Sequence, residues 1–172
     1  MRVGITGHRG LSGEVERKVR ALVEEAVTSY STGTGAGIGT GNAGLVGVSC
    51  IADGPDTWFA QAVLDHGGQL EVVLPAQQYR AALPARDHPT YDDLLHRAAQ
   101  VHRTGLDVSG PDAYMAAGEL LVDQVDELLA VWDGRPARGH GGTADVVTYA
   151  RQHDVPVKVL WPEGATRDRR SA

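Results

Sequence analysis

Short apolar runs that alternate with segments of helical periodicity constrain this chain more than any other feature. Arg2 to Thr6, residues 45 to 51, Leu70 to Leu74, Glu127 to Trp132 and Val155 to Trp161 each have the length and composition of a buried strand, bounded by Gly, Pro or Asp. Between the first two, Val15, Val19, Leu22, Val23 and Ala26 repeat at helical spacing after a capping Ser12. Pro55 opens a second helix that Gly67-Gly68 closes, and a third spans residues 89 to 102. Ser109-Gly110-Pro111 starts a further helix, packed through Ala113, Ala116, Ala117, Leu120 and Leu121. Right-handed crossovers return each strand parallel to the last. The alternation therefore predicts an α/β fold: a Rossmann-like, doubly wound parallel sheet of about five strands in the order 3-2-1-4-5.

Ligands of such sheets sit outside the carboxyl ends of the strands, where the strand order reverses, which here falls between strands one and four. Gly7-His8-Arg9 leave strand one at that point. Asp133 and Gly134, and then Gly141-Gly142-Thr143, leave strand four, and the loop carrying Gly54 and Asp56 leaves strand two. Gly139 to Asp145 joins a buried strand to a new helix, the layout in which backbone N–H groups and a helix N-terminus hold an anion. Gly141 and Gly142 permit close approach, and Thr143 is expected to cap the helix through Val146, Val147 and Ala150 while offering its hydroxyl to the anion. The planar fork of Arg9 suits a phosphate, and His8 and His140 are placed to hydrogen-bond a phosphate or a ribose hydroxyl. Asp133 either accepts from ribose hydroxyls or an amino group, or closes its own turn. Asp56 reads equally as a ligand contact and as a first-turn aspartate beside the helix dipole. Tyr114 and Glu119 read as a half-buried tyrosine and a surface glutamate.

The 172 residues carry a formal charge of −6 with no Lys/Arg cluster in the folded part, which argues against a nucleic-acid partner and for a small molecule. No apolar stretch approaches the roughly 20 residues needed to cross a bilayer, so no membrane partner is expected. The single cysteine, Cys50, has no internal disulfide partner and the chain enters a strand directly, so a cytoplasmic protein is expected. One domain over residues 1–163 is followed by an arginine-rich tail, 164–172, read as disordered, and a homo-oligomer stays open. Gly39 to Gly44 matches G-x-G-x-x-G but follows a helix and precedes a strand, so it reads as a dispensable surface loop within the glycine-dense Ser31 to Gly47. No glycine precedes a Lys-Ser or Lys-Thr pair. The seven histidines include no i, i+4 pair, so neither a metal nor a resident cofactor is expected. Ser49 lacks a nucleophile-elbow context, and Cys50 reads as core.

Gly4-Ile5-Thr6-Gly7-His8-Arg9, Ala52-Asp53-Gly54-Pro55-Asp56, Leu70 to Pro75, Asp126 to Asp133 and Gly141-Gly142-Thr143, in that order, resemble the SLOG superfamily of Rossmann-like proteins, which includes the Lonely Guy phosphoribohydrolases and DprA. The resemblance implies a pocket for a nucleotide or a nucleotide-derived, ADP-ribose-like ligand, with the protein acting as sensor or carrier. The alternatives it leaves are a hydrolase or transferase at the N-glycosidic bond and a protein-interaction module. In the Lonely Guy loop PGGxGTxxE, the catalytic glutamate falls on Val146 here. The catalytic arginine falls on Ala117 when the aspartate that starts the strand is matched to Asp126. Without those groups the resemblance implies binding, unless Asp145 or Glu119 substitutes.

Overall fold

The computed structural model describes residues 1–32 and 44–167. Residues 33–43, which hold the loop from Gly33 to Gly41 expected to be dispensable and all of the Gly39–Gly44 motif but Gly44, and residues 168–172 of the tail lie outside the described residues. In chain order the elements are β1 (Arg2–Gly7), α1 (Gly13–Thr32), β2 (Val46–Ser49), α2 (Pro55–Asp65), β3 (Gln69–Leu74), α3 (Tyr79–Ala82), a 3-10 turn (Ala85–Asp87), α4 (His88–Arg97), β4 (Gln100–Arg103), α5 (Pro111–Val122), β5 (Glu127–Val131), α6 (Thr143–Gln152) and β6 (Val157–Val159). The strands form one parallel sheet, β4-β3-β2-β1-β5-β6. The expected order 3-2-1-4-5 is present within it, and the strand count is six. The extra edge strand, β4, corrects the reading of residues 89–102 as one helix, which ends at Arg97. Gln100-Val101-His102-Arg103 holds one apolar residue and no alternating pattern; backbone pairing to β3, from Glu71↔Gln100 to Leu74↔Arg103, makes it a strand.

The sheet is covered on both faces. Val3, Ile5, Leu129 and Val131 pack under α1 and α2 against Val19, Val23, Phe59 and Val63, while Val48, Val73 and Leu128 pack under α5 and α6 against Leu121, Val146 and Ala150. Strand residues alternate between these two layers, as the period of two requires. A third cluster, Leu70, Val72, Tyr79, Tyr91 and Leu94, seats α3 and α4. Gly4 lets α5 lie close to the sheet, since a Cβ there would stand 2.6 Å from Leu121 Cδ2. No helix among the described residues is long and apolar enough to cross a membrane.

The carboxyl edge is drawn together at Gly7, where a Cβ would meet Val131 at 2.9 Å and Pro55 at 3.0 Å. One missing methyl therefore lets the ends of β1 and β5 and the start of α2 converge. The chain then leaves the sheet, with His8 N–H bonded to Val131 O at 3.0 Å. After β6, Ala165 N–H donates to Pro162 O and Trp161 Nε1–H to Ala165 O, a turn that delivers Arg167 to the same edge.

Candidate ligand-binding site

A cleft of about 650 Å³ opens at this carboxyl edge, between the loops after β1, β2 and β5 and the starts of α5 and α6. Of the residues singled out in the sequence, Gly7, His8, Arg9, Asp56, Gly141, Gly142 and Thr143 line it. Gly54, Asp133 and Gly134 do not. Gly54, at φ +98°, precedes α2 and faces a neighbouring groove, and Gly134, at φ +76°, is an exposed turn residue. His140 also lines the cleft.

The glycine loop owes its shape to Gly141. Its φ is +77°, and a Cβ would stand 2.5 Å from Pro111 O, so only glycine lets the loop lie against the first turn of α5. Asp145 folds back to accept Gly141 N–H at 2.9 Å. That bond occupies one of the donors expected for an anion and leaves the N–H groups of Thr143 and Ala144, which begin α6 and have no carbonyl one turn back to bond. The expectation that Thr143 caps α6 is corrected: the N-cap is Gly142, without a side-chain cap bond, and Thr143 is the first helical residue with its side chain buried. Gly142 Cα carries no substituent where Ala137 and Gly139 O press at 3.3 Å, which keeps the rim of the anion end narrow.

His8 is 4% exposed, with Nε2 3.0 Å from Asp133 Oδ1 and its ring edge-on to Trp161. Asp133 also accepts Arg135 N–H at 3.1 Å. Burial lowers the His8 pKa and the bond to Asp133 only partly offsets this, so the imidazole is neutral at physiological pH. Burial opposes charge on Asp133 too, but His8 and the Arg135 N–H outweigh it and hold the carboxyl below the usual range. Asp133 is thus committed to orienting the ring that lines the cleft. Arg9 is ion-paired with Asp53, whose side chain also lines the cleft.

Asp56 is 8% exposed, and its Oδ2 accepts Ala52 N–H at 3.4 Å. Burial pushes its pKa up to about 7. Around it, Cys50, Pro75, Tyr79 and Tyr114 form an apolar and aromatic wall, and burial raises both the Cys50 thiol and the Tyr79 phenol well above their ordinary values. The cleft therefore has two unlike ends, an amide-rich end at α6 and an aromatic end holding one carboxyl. Arg138 and Arg167, which the sequence reading did not single out, also line it. They lie more than 100 positions beyond Arg9 in the chain, and only the tertiary fold brings the three together. Among the described residues no group of three or more His, Cys, Asp or Glu side chains is arranged to hold a metal.

A second groove of about 770 Å³ runs between α1 and α2, where Arg20 stacks on Trp58 at 4.3 Å. Its walls are mostly helix flanks with charges of both signs, and it does not reach the crevice between β1 and β5 where the strand order reverses, so the cleft is the better candidate.

No protein-family model matches the chain and no curated protein matches it. Solved structures do. DNA processing protein A from Helicobacter pylori, which binds single-stranded DNA, matches with a TM-score of 0.62 at 15% identity, over 92% of this chain and 64% of its own. The DNA processing protein A of Streptococcus pneumoniae matches with a TM-score of 0.61 at 16% identity, over 92% of this chain and 49% of its own. The molybdenum cofactor binding protein of Rippkaea orientalis matches with a TM-score of 0.56 at 14% identity, over 92% and 74%. The chain shares the fold of these proteins, and it spans less than two thirds of either DNA processing protein.

The expectation of no nucleic-acid partner is corrected by the first of these matches, a protein of this fold that binds single-stranded DNA. It rested on net charge and on the absence of a basic run in the sequence. Attraction of phosphate depends on where cations gather in space, and Arg9, Arg138 and Arg167 gather at one cleft in a chain of net charge −6.

Proposed function

We propose that the protein binds a nucleotide or nucleotide-derived ligand in this cleft, as a sensor or carrier, with the phosphate at the start of α6 and the base against the aromatic wall. The observation that carries this reading is the pairing of opposite chemistries in one cleft of nucleotide size: helix-terminal N–H groups with Arg138 of the glycine loop at one end, Tyr79 and Tyr114 at the other. That a molybdenum cofactor binding protein shares the fold supports a carrier role. The positions of the Lonely Guy catalytic pair support binding over turnover. Val146 is an apolar residue packed on Gly118, where a Cβ would meet its Cγ2 at 2.6 Å, and Ala117 is 1% exposed, so neither position supplies an acid or a cation to the cleft.

The test is mass spectrometry of small molecules released from freshly purified protein, followed by thermal denaturation with nucleoside monophosphates, ADP-ribose and short single-stranded DNA. Stabilisation that grows as RT ln(1 + [L]/Kd) with a mononucleotide, and that Gly142→Val removes while the fold survives, is the expected result. Stabilisation by single-stranded DNA alone would replace the small-molecule reading. Hydrolysis of the bound ligand is the second reading, favoured by one observation, the His8–Asp133 pair on the cleft wall. Release of a free base or phosphate that His8→Gln abolishes is the outcome that selects it.

A further inference from the structure

Asp56 poses a problem that the rest of the cleft does not. Its side chain is nine-tenths buried, yet the protein offers it one long hydrogen bond, from Ala52 N–H at 3.4 Å. The arginine that faces it, Arg9, is already paired with Asp53. The other groups around it do not make up the shortfall: the Cys50 thiol from the end of β2 is a weak donor, the Tyr79 phenol from α3 keeps its proton but makes no hydrogen bond to Asp56, and Asp53 is a like charge. A buried carboxyl so poorly supplied is costly unless a partner arrives. The wall beside it is aromatic, with the Tyr79 and Tyr114 rings 6.3 Å apart at 65°. A ring packed against that wall lies in the same cleft as Asp56.

Resting on the nucleotide-class reading above, we propose that Asp56 reads the edge of the ligand's heterocycle, its two oxygens accepting two adjacent N–H groups of a 2-amino-4-oxo ring. Guanine carries that edge, and pterins carry the same one. A carboxylate accepts at both oxygens, and two parallel N–H donors match its fork as a guanidinium does. Adenine offers one donor and one acceptor on the corresponding edge and meets a carboxyl only in its protonated form. Reach also agrees. Asp56 stands beyond the end of β2 and the first amides of α6 lie beyond β5, two strands away across β1. At about 4.8 Å per strand that is about 10 Å, the separation of phosphate and base edge in a mononucleotide.

Proton balance makes the inference measurable. Burial keeps a fraction of Asp56 protonated near neutral pH, while the Ala52 N–H and Arg9 favour its anion and Asp53 opposes it. Two new N–H donors favour the anion further, so binding expels the proton to solvent. Titration calorimetry of the full chain at pH 7 with GMP, neopterin phosphate and AMP, each in PIPES and in Tris buffer, reads both affinity and protons released. Expected are at least about tenfold tighter binding of GMP or neopterin phosphate than of AMP, with a fraction of a proton released by the tighter ligand and a fraction taken up where AMP binds. Whichever of the first two binds better identifies the ring. Asp56→Asn replaces one acceptor with a donor. It should weaken GMP at least about tenfold while strengthening XMP, whose edge pairs one N–H with one carbonyl; that gain also shows that the variant is folded. Equal affinities for GMP and AMP, or an Asp56→Asn variant that binds GMP as the parent does, overturn the edge-reading role and leave the cleft reading standing. If none of the compounds binds the parent, the nucleotide reading itself falls, and this inference with it.

Discussion

Glu71 and Asp56 are equally buried, at 8% exposure each, and their pKa values move in opposite directions. Glu71, on β3, accepts Arg2 Nη1 at 2.9 Å and Nη2 at 2.7 Å and lies 2.8 Å from His102 Nε2. These bonds, the arginine's above all, hold its carboxyl down to about 2 although burial pulls the other way. Asp56 has one long bond, and burial drives it up to about 7. Depth is the same and supply of donors is not. The first carboxylate ties β1, β3 and β4 together. The second faces a cleft and is left short of partners that a bound molecule can bring.

The contrast is most exposed to failure at Glu71. Glu71→Gln leaves Arg2 and His102 without their anion and should lower stability by about 3 kcal/mol in urea unfolding at pH 7. Because Arg2 is about one-third exposed, a loss under about 1 kcal/mol would show that water already screens the cluster and that Glu71 is no joint of the fold. The acid response follows from the sign of the shift. A folded value of about 2 against an ordinary 4.5 means that this contribution is complete above about pH 4.5 and disappears as pH falls toward 2. Parent stability should fall over that window, and Glu71→Gln should flatten the curve there.

Asp56 should do the reverse. Its folded value of about 7 lies above the ordinary 3.8, so between these pH values the folded state holds a proton that the unfolded chain has lost, and stability declines as pH rises. Asp56→Asn removes that decline. The variant should match the parent near pH 4 and exceed it by about 4 kcal/mol at pH 8. A variant less stable than the parent at pH 8 would mean that the carboxylate is charged and satisfied in the fold, and the contrast would collapse. The smallest effect is expected at Arg9. Its ion pair with Asp53 is 43% exposed on the arginine side, so Arg9→Ala should change stability by no more than about 0.5 kcal/mol. The same variant should weaken a phosphate ligand by about 1.5 to 3 kcal/mol, an unequal split that denaturation and ligand titration on one sample will reveal.

The sheet was legible wherever a strand is buried on both faces. Val3, Ile5, Val48, Val72, Leu128 and Leu129 form apolar runs because helices cover both sides of them. β4 was not legible, because an edge strand with His102 turned to Glu71 and Gln100 and Arg103 exposed needs no apolar run. The glycine loop before α6 was visible for a local reason, the positive φ of Gly141. Asp133 stood at the expected strand end, but nothing local says that its side chain turns back to His8, 125 positions away. Arg138 and Arg167 and the scarcity of donors around Asp56 have the same character. They are properties of which loops meet, and the sequence of each loop is silent on its neighbours.

The edge-on contact between His8 and Trp161, with ring centroids 5.8 Å apart, has an optical consequence. Indole emission is quenched far more by an imidazolium than by a neutral imidazole, and His8 rests in the neutral form. Anything that charges or displaces His8 therefore dims or shifts the emission of Trp161. Trp58 lies under Arg20 in the other groove, and Trp132 faces Arg151, so neither shares that neighbour. The protein carries its own fluorophore against a residue that lines the cleft, and occupancy can be followed in solution without a label.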